Sequence, residues 1–398
     1  MKRETVLTLI TGIACIGVFL IGHLFFHPKA EQRERLLVGF LYDGDESIPY
    51  TSNFIRAQHV IEEKYGDQVQ TVVKSNVSGN KIDFALEEMV QEGCQLIFST
   101  SYTYAIITKE YAEKYPSVQF CQALGDNSHE EPFLKNYHTF AGEIHQGRYV
   151  SGIVAGMKLK ELISKGVITD SEAKVGYVGA YPYAEVISGY TAFLLGVRSI
   201  VPSATMTVAY TYTWGSFSLE KLCAEHLIEE GCVIISQHSD TSGPAVACER
   251  YFGKNVFAIG YNQSMITLAP STALVSTRIN WIPYVTGAVG AMLEKKSIEK
   301  SIKGNVHGND IGAGFEQNWV QMLDLNDDIV SRGTAEKVAE AIQAFKKGKM
   351  HVFQGDYIGV NPYDENDTYD LRKEYKECTK MSAPTFKYVL QDVITVEE

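Results

Sequence analysis

The chain has 398 residues, 45% of them apolar and 21% charged, an ordinary globular composition with material for two lobes of ordinary domain size. Against 36 Lys and Arg stand 48 Asp and Glu, a formal charge of −12, which argues against the general basic field that holds nucleic acid or an anionic membrane surface. A small neutral or polar ligand fits this balance better.

At the N-terminus, Met1-Lys2-Arg3-Glu4 precedes an apolar run from Val6 to Phe26 whose one strongly polar member is His23. Its length, about 20 residues, matches a bilayer core. Phe19, Leu20, Ile21, Leu24, Phe25 and Phe26 prolong it beyond the apolar region of a cleavable secretory signal. Residues 1–30 therefore read as a membrane anchor or signal segment, with retention of 6–26 as an uncleaved anchor the favoured reading. Cys15, in Gly12-Ile13-Ala14-Cys15, leaves lipidation as the alternative, although Gly12 stands where a lipoprotein site usually has Leu or Val. Lys2 and Arg3 keep the N-terminus inside and export the rest, to the extracytoplasmic face of the cell membrane.

Beyond this segment the chain repeats itself. Leu37-Val38-Gly39-Phe40-Leu41 is echoed by Lys174-Val175-Gly176-Tyr177-Val178, 175 minus 38 being 137. Glu92-Gly93-Cys94-Gln95-Leu96-Ile97 returns as Glu230-Gly231-Cys232-Val233-Ile234-Ile235, and Val118-Gln119-Phe120 as Val256-Phe257-Ala258, both at 138 (231 minus 93, 256 minus 118). A near-constant offset marks a structural repeat; βα units of similar length are the coincidental alternative. The apolar runs are short and rich in Val, Ile and Phe. Helical patterns separate them at 52–65, 81–92 and 104–115, and again at 185–199, 218–230 and 242–252. This is the signature of βαβ units and parallel sheets, so the expected fold class is α/β, two Rossmann-like lobes with parallel sheets joined by a hinge.

Ligands of such folds bind in the cleft at the carboxyl ends of strands. Those positions are Tyr42 and Asp43, Thr100 to Tyr102 and Gly125-Asp126 in the first half. In the second they are Tyr181-Pro182, His238 to Asp240 and Tyr261-Asn262. The six cysteines after Cys15 have wide, unpatterned spacing and propose neither a disulfide framework nor a metal site. No P-loop, nucleophile elbow, zinc helix or dinucleotide fingerprint stands in a supporting context. No cofactor, metal ligand or catalytic residue is expected. His238 has no second His or Cys at ligand spacing.

Several stretches in order, Gly152-Ile153-Val154-Ala155-Gly156, Glu185-Val186-Ile187-Ser188-Gly189, Gln237-His238-Ser239-Asp240, Ala258-Ile259-Gly260-Tyr261-Asn262 and His351-Val352-Phe353-Gln354-Gly355, resemble the basic membrane protein (BMP) family, solute-binding lipoproteins that feed ABC transporters for nucleosides and purines. The resemblance covers about residues 36–360. It implies a type I periplasmic binding protein-like architecture whose chain crosses the hinge three times. The first lobe would be 36–142 plus about 277–310, the second 143–276, with 311–398 a C-terminal elaboration packing on the lobes. It implies stacking by Tyr50, Tyr102 and Trp214 and polar contacts from Glu185, Asp240, Asn262 and Asn280. It also implies capture of a purine nucleoside or purine base by hinge closure, with an ABC transporter permease as partner and the N-terminal segment as the membrane contact. Two departures stand out. The region after Tyr42 lacks the glycine-rich, tryptophan-bearing turn of close relatives, and the tail after Val360 matches poorly.

The same residues have plainer readings. The three aromatics serve as packing, Asp240 as an N-cap, the asparagines as loop hydrogen-bonders, and Glu185 as a first-turn charge. Gly152 and Gly156 read as close packing at the hinge. Two other functions keep the same clamp: a membrane-tethered ligand sensor, or a nucleoside-processing enzyme using Asp43, Asp126 or Asp240.

Overall fold

The computed structural model describes residues 35–397; the expected anchor at 6–26, with Cys15, lies outside the described residues. Among the described residues no helix is long and apolar enough to cross a membrane.

Each short apolar run becomes a strand, buried except where it forms a sheet edge, and each amphipathic stretch between two strands becomes the helix that covers them. In the first half these are β1 (Leu36–Leu41), α1 (Pro49–Tyr65), β2 (Val69–Lys74), α2 (Lys81–Gln91), β3 (Leu96–Ser99), α3 (Ala105–Lys114), β4 (Gln119–Ala123) and β5 (Tyr137–Gly142). The second half runs α4 (Ile144–Ser164), β6 (Lys174–Gly179), α5 (Ala184–Arg198), β7 (Thr205–Tyr210), α6 (Phe217–Glu229), β8 (Ile234–His238), α7 (Gly243–Arg250), β9 (Phe257–Tyr261) and β10 (Ala273–Ile279). Helix α1 starts three residues before the expected 52 because Pro49 occupies its first turn, where a fixed φ and a missing N–H cost nothing.

The elements that follow are α8 (Ile282–Leu293), a single helical turn at Ile298–Ser301, β11 (Asn305–His307), β12 (Asp310–Ala313), β13 (Val320–Met322), α9 (Thr334–Lys346), β14 (Ile358–Asn361), β15 (Asp364–Asp370), β16 (Val389–Leu390) and β17 (Ile394–Val396). The two large sheets have the same core order, β12-β5-β4-β3-β1-β2 in the first lobe and β13-β10-β9-β8-β6-β7 in the second, and β14, β15 and β16 form a small third sheet. The repeat extends to backbone detail. Leu124 after β4 and Asn262 after β9 both take the left-handed conformation, φ 58° and 66°, and 262 minus 124 is again 138.

The chain passes between the large sheets after β5, after β10 and after β12. The lobe boundaries need correction accordingly. Residues 277–279 complete β10 and stay in the second sheet, so the first lobe resumes after Ile279, and β12 carries it to Ala313. The stretch 311–398 is not one elaboration: β13 and β17 are strands of the second sheet, β17 pairing in parallel with β7 through Ile394 and Met206.

Gly152 and Gly156 pack inside the second lobe, against α5, and not at the hinge. A Cβ on Gly152 would lie 2.1 Å from the Phe193 carbonyl oxygen, and one on Gly196 the same distance from that of Tyr149. Both neighbours are backbone and cannot swing aside. Gly152→Ala should therefore destabilise by about 1–3 kcal/mol or more, read as a fall in the denaturant midpoint; an unchanged midpoint would contradict the contact. All six described cysteines are free, and burial pushes a thiol such as Cys94 up to about 12.

Candidate ligand-binding site

The carboxyl ends of strands from both lobes converge on a small cavity, the position at which ligands of doubly wound folds bind. The first lobe contributes Asp43 beyond β1, Tyr50 from the first turn of α1, Ser101 and Tyr102 beyond β3, and Leu124 beyond β4. The second contributes Glu185 from the first turn of α5, Trp214 beyond β7, His238 and Asp240 at and after the end of β8, and Tyr261 closing β9.

The loop carrying Asp240 is held rigidly. The fully buried Glu220 accepts hydrogen bonds from Ser239 Oγ at 2.8 Å, the Thr241 N–H at 3.1 Å and the Ser216 N–H at 3.1 Å. Gln237 Nε2 donates to the Ser239 and Thr241 carbonyls. Asp240 donates its own N–H to the Trp214 carbonyl at 2.8 Å, which ties the two loops together. Asp240 is not the cap of α7: Ser242 holds that position, and Thr241 Oγ1 accepts the Gly243 N–H.

Charge in the cavity is one-sided. Burial drives the Asp240 carboxyl well above the usual carboxylate range, helped by Asp43, Glu220 and Glu185 and opposed by Arg148; burial also raises Asp43. Burial and then Arg148 push His238 down to about 4, against the pull of Glu185, whose Oε1 is 3.3 Å from Nε2. His238 is therefore a neutral wall. None of the ten lining residues is Lys or Arg. Arg148 stands behind, its guanidinium 3.7 Å from the Tyr261 ring centroid and its Nη1 donating to the Gln237 carbonyl. His238 contacts Glu185 while the neighbouring Ser239 bonds Glu220, so imidazole and hydroxyl serve different partners. Among the described residues no cluster of His, Cys, Asp and Glu is placed to hold a metal.

Aromatic rings form the rest of the wall. Trp214 lies 5.6 Å from Tyr181, which stacks on Tyr183 at 5.1 Å, and Tyr183 reaches Tyr102 of the other lobe at 5.6 Å. The buried Trp214 Nε1–H finds no partner among the described residues, which leaves a donor available to a ligand at the cavity.

Of the seven expected contacts, Tyr50, Tyr102, Trp214, Glu185 and Asp240 line the cavity. Tyr50 also packs: its hydroxyl donates to the Thr100 carbonyl at 2.6 Å and its ring stands edge-on to Phe54 and Trp281. Asn262 and Asn280 are not among the lining residues. Asn262 accepts from Asn53 Nδ2 through its carbonyl at 3.0 Å and its Oδ1 at 3.3 Å; Asn280 Oδ1 accepts from Arg56 at 3.3 Å. Both fasten α1 of the first lobe to the second lobe or to a crossing segment through their oxygens, while the buried Asn262 Nδ2 finds no partner among the described residues. Asp43, His238 and Tyr261 stand at strand ends, and the family resemblance assigns none of them a ligand contact. Leu124 and Glu220 carried no signal, since a bulky residue at φ 58° and a buried glutamate under a distant loop are tertiary outcomes.

The chain matches the Bmp family model, described as ABC transporter substrate-binding protein PnrA-like, over residues 38–350. A purine-binding protein of Brucella abortus (strain 2308) is 29% identical over 349 residues, 86% of this chain and 89% of the relative. A Haloferax volcanii protein whose name assigns it glucose binding in an ABC transporter is 26% identical over 300 residues, 75% of this chain and 69% of its own. Among solved structures, an ABC transporter solute-binding protein of Aeropyrum pernix K1 superposes with TM-score 0.63 at 16% identity, covering 83% of this chain and 95% of that one; it speaks for the fold alone.

Proposed function

The chain belongs to the Bmp family of PnrA-like ABC transporter substrate-binding proteins, and from that premise we propose that it captures a purine nucleoside or purine base by closure of its two lobes. Proteins of this family bind small molecules outside the cytoplasm and hand them to a permease; they are not enzymes. The observation that carries the purine reading is the composition of the cavity wall, with Tyr50, Tyr102, Trp214 and Tyr261 beside Asp43, Glu185 and Asp240 and no cation among them. Aromatic faces hold a planar heterocycle, each stack contributing about 1–3 kcal/mol. Carboxylates accept from ring N–H, exocyclic amine or sugar hydroxyl, and repel phosphate. Nucleotides are thereby disfavoured. The name of the Brucella relative points the same way.

Because the cavity draws residues from both lobes, a ligand in it stabilises the closed state over the open one. Residues 6–26 would tether the clamp to the membrane, with lipidation at Cys15 the alternative tether. A sugar is the second reading, favoured by the same carboxylates and by the name of the Haloferax relative.

Calorimetric titration of the full-length chain with nucleosides, bases, sugars and amino acids, with the recovered ligand assayed for breakdown, tests this. Tight binding of an intact purine compound supports the reading; binding confined to sugars or amino acids removes it.

A pH dependence accompanies it. The free pocket retains protons on Asp240 and Asp43 above the ordinary carboxylate range, whereas ligand N–H groups require the carboxylates. Binding therefore releases protons, and affinity should rise with pH from the ordinary carboxylate range up through the raised values, then level off. Calorimetry in two buffers of different ionisation enthalpy reads the protons directly. Asp240→Asn should reduce the release; equal release in both proteins would remove Asp240 from the site.

A further inference from the structure

The family match ends at residue 350, yet the chain continues into the small third sheet and on to a chamber beside the candidate ligand cavity. This tail is anchored on the second lobe. β17 pairs with β7, Arg198 Nε donates to the Tyr357 hydroxyl at 2.8 Å, and the Tyr363 hydroxyl donates to the Pro182 carbonyl at 3.2 Å.

Between β15 and β16, residues 377–386 leave that sheet and touch both lobes. The Glu377 carboxylate accepts the Ser188 hydroxyl of α5 and the N–H groups of Thr385 and Phe386. Five residues on, Ser382 donates its N–H and its hydroxyl, each at 2.5 Å, to the buried Asp310 of β12 in the first lobe. Phe386 stacks on Phe353 at 4.3 Å, which fixes the far end.

This bridge brings Ala383 and Pro384 to a second small cavity, shared with Tyr102, Asp126, Tyr183 and Glu185. Tyr102 and Glu185 also wall the first cavity, so the two chambers adjoin. Ala383 is 4% exposed and Ser382 1%; the wall is built in, not a loose end resting on the surface. The chamber offers the Asp126 and Glu185 carboxylates, Tyr102 Oη donating to Asp126 at 3.3 Å. Such a lining accepts hydroxyl donors and turns away an anion.

We propose that residues 377–386 form a strap across the outer end of the cleft and that Ala383 and Pro384 determine which substituent on the base is admitted. The second chamber takes the uncharged sugar of a nucleoside, and the strap closes the space behind it. This rests on the purine reading above. A side chain enlarged at 383 intrudes on the sugar and not on the base, so the two ligands respond differently.

The test is calorimetry of the full-length chain with adenine and adenosine, using the graded series Ala383→Val, Ala383→Leu and Ala383→Phe. Thermal unfolding identifies any variant that fails to fold, and the smaller steps stand in for it. The nucleoside-to-base affinity ratio should fall with each enlargement, by about tenfold or more at the bulkiest folded variant. Asp310→Asn, which replaces one of the two acceptor oxygens that Ser382 uses with an amide donor, should change the same ratio by loosening the strap. A ratio constant across the series, or a wild-type chain that binds adenine but not adenosine, overturns the strap as a selector while leaving the purine reading intact. A wild-type chain that binds neither, nor any other purine, removes the purine reading and the strap's role with it.

Discussion

Trp214→Ala should weaken purine binding by about 1–3 kcal/mol, roughly 5- to 150-fold in Kd, measured by calorimetry at fixed pH and salt. Trp214 is partly buried at the cavity, clustered with Tyr181 and Tyr183, and its indole N–H has no partner among the described residues. Truncation therefore removes a stacking face and a donor together. It leaves the backbone carbonyl that accepts the Asp240 N–H, so the carboxylate keeps its place and the loss reports the ring. Trp214→Phe should recover part of the affinity by restoring a face without the N–H. Wild-type Kd in a normally folded Trp214→Ala protein would take the ring out of the binding site.

Trp281→Ala should cost about 3–5 kcal/mol of stability, read from denaturant unfolding. Trp281 follows β10 where the chain returns to the first lobe, and it is 1% exposed. Its ring stacks on Phe54 at 4.4 Å and meets Phe140 edge-on at 5.4 Å. Phe140 in turn stacks on Tyr284 at 3.7 Å, so one ring removed leaves a void among rings that cannot collapse together. Tyr50 is 6.4 Å from Trp281, and loss of this backing should also weaken ligand binding. A cost below about 1 kcal/mol would mean that the neighbours close the void with little strain.

The repeat made the two lobes legible because each βα unit folds on local patterning. Short apolar runs give strands, amphipathic stretches give helices, and both predict the lobe's layering before any long-range contact is known. The same logic pointed to the candidate site. Strand ends in a doubly wound sheet share one edge, so Asp43, Tyr102, His238, Asp240 and Tyr261 could be marked from their place in the sequence, and the cavity collects them.

What chain position could not reveal was the partner each polar group would find. Asn262 and Asn280 sit where ligand contacts belong, yet Asn53 and Arg56 engage them, and both partners come from α1, more than 200 residues earlier. Glu220 became the keystone of the Asp240 loop only because α6 runs beneath it.

Two α/β lobes, their strand ends and the aromatic and acidic residues placed at those ends are legible in the order of residues alone. Local patterning and a repeated unit suffice for that. The tertiary structure alone decided which asparagines serve the lobe seam and where the three crossings fall. It also decided that Ser382 reaches Asp310 to bring Ala383 and Pro384 against the cavity. These are contacts between distant segments, set by packing and by the need to pair buried polar groups, and no local pattern encodes them.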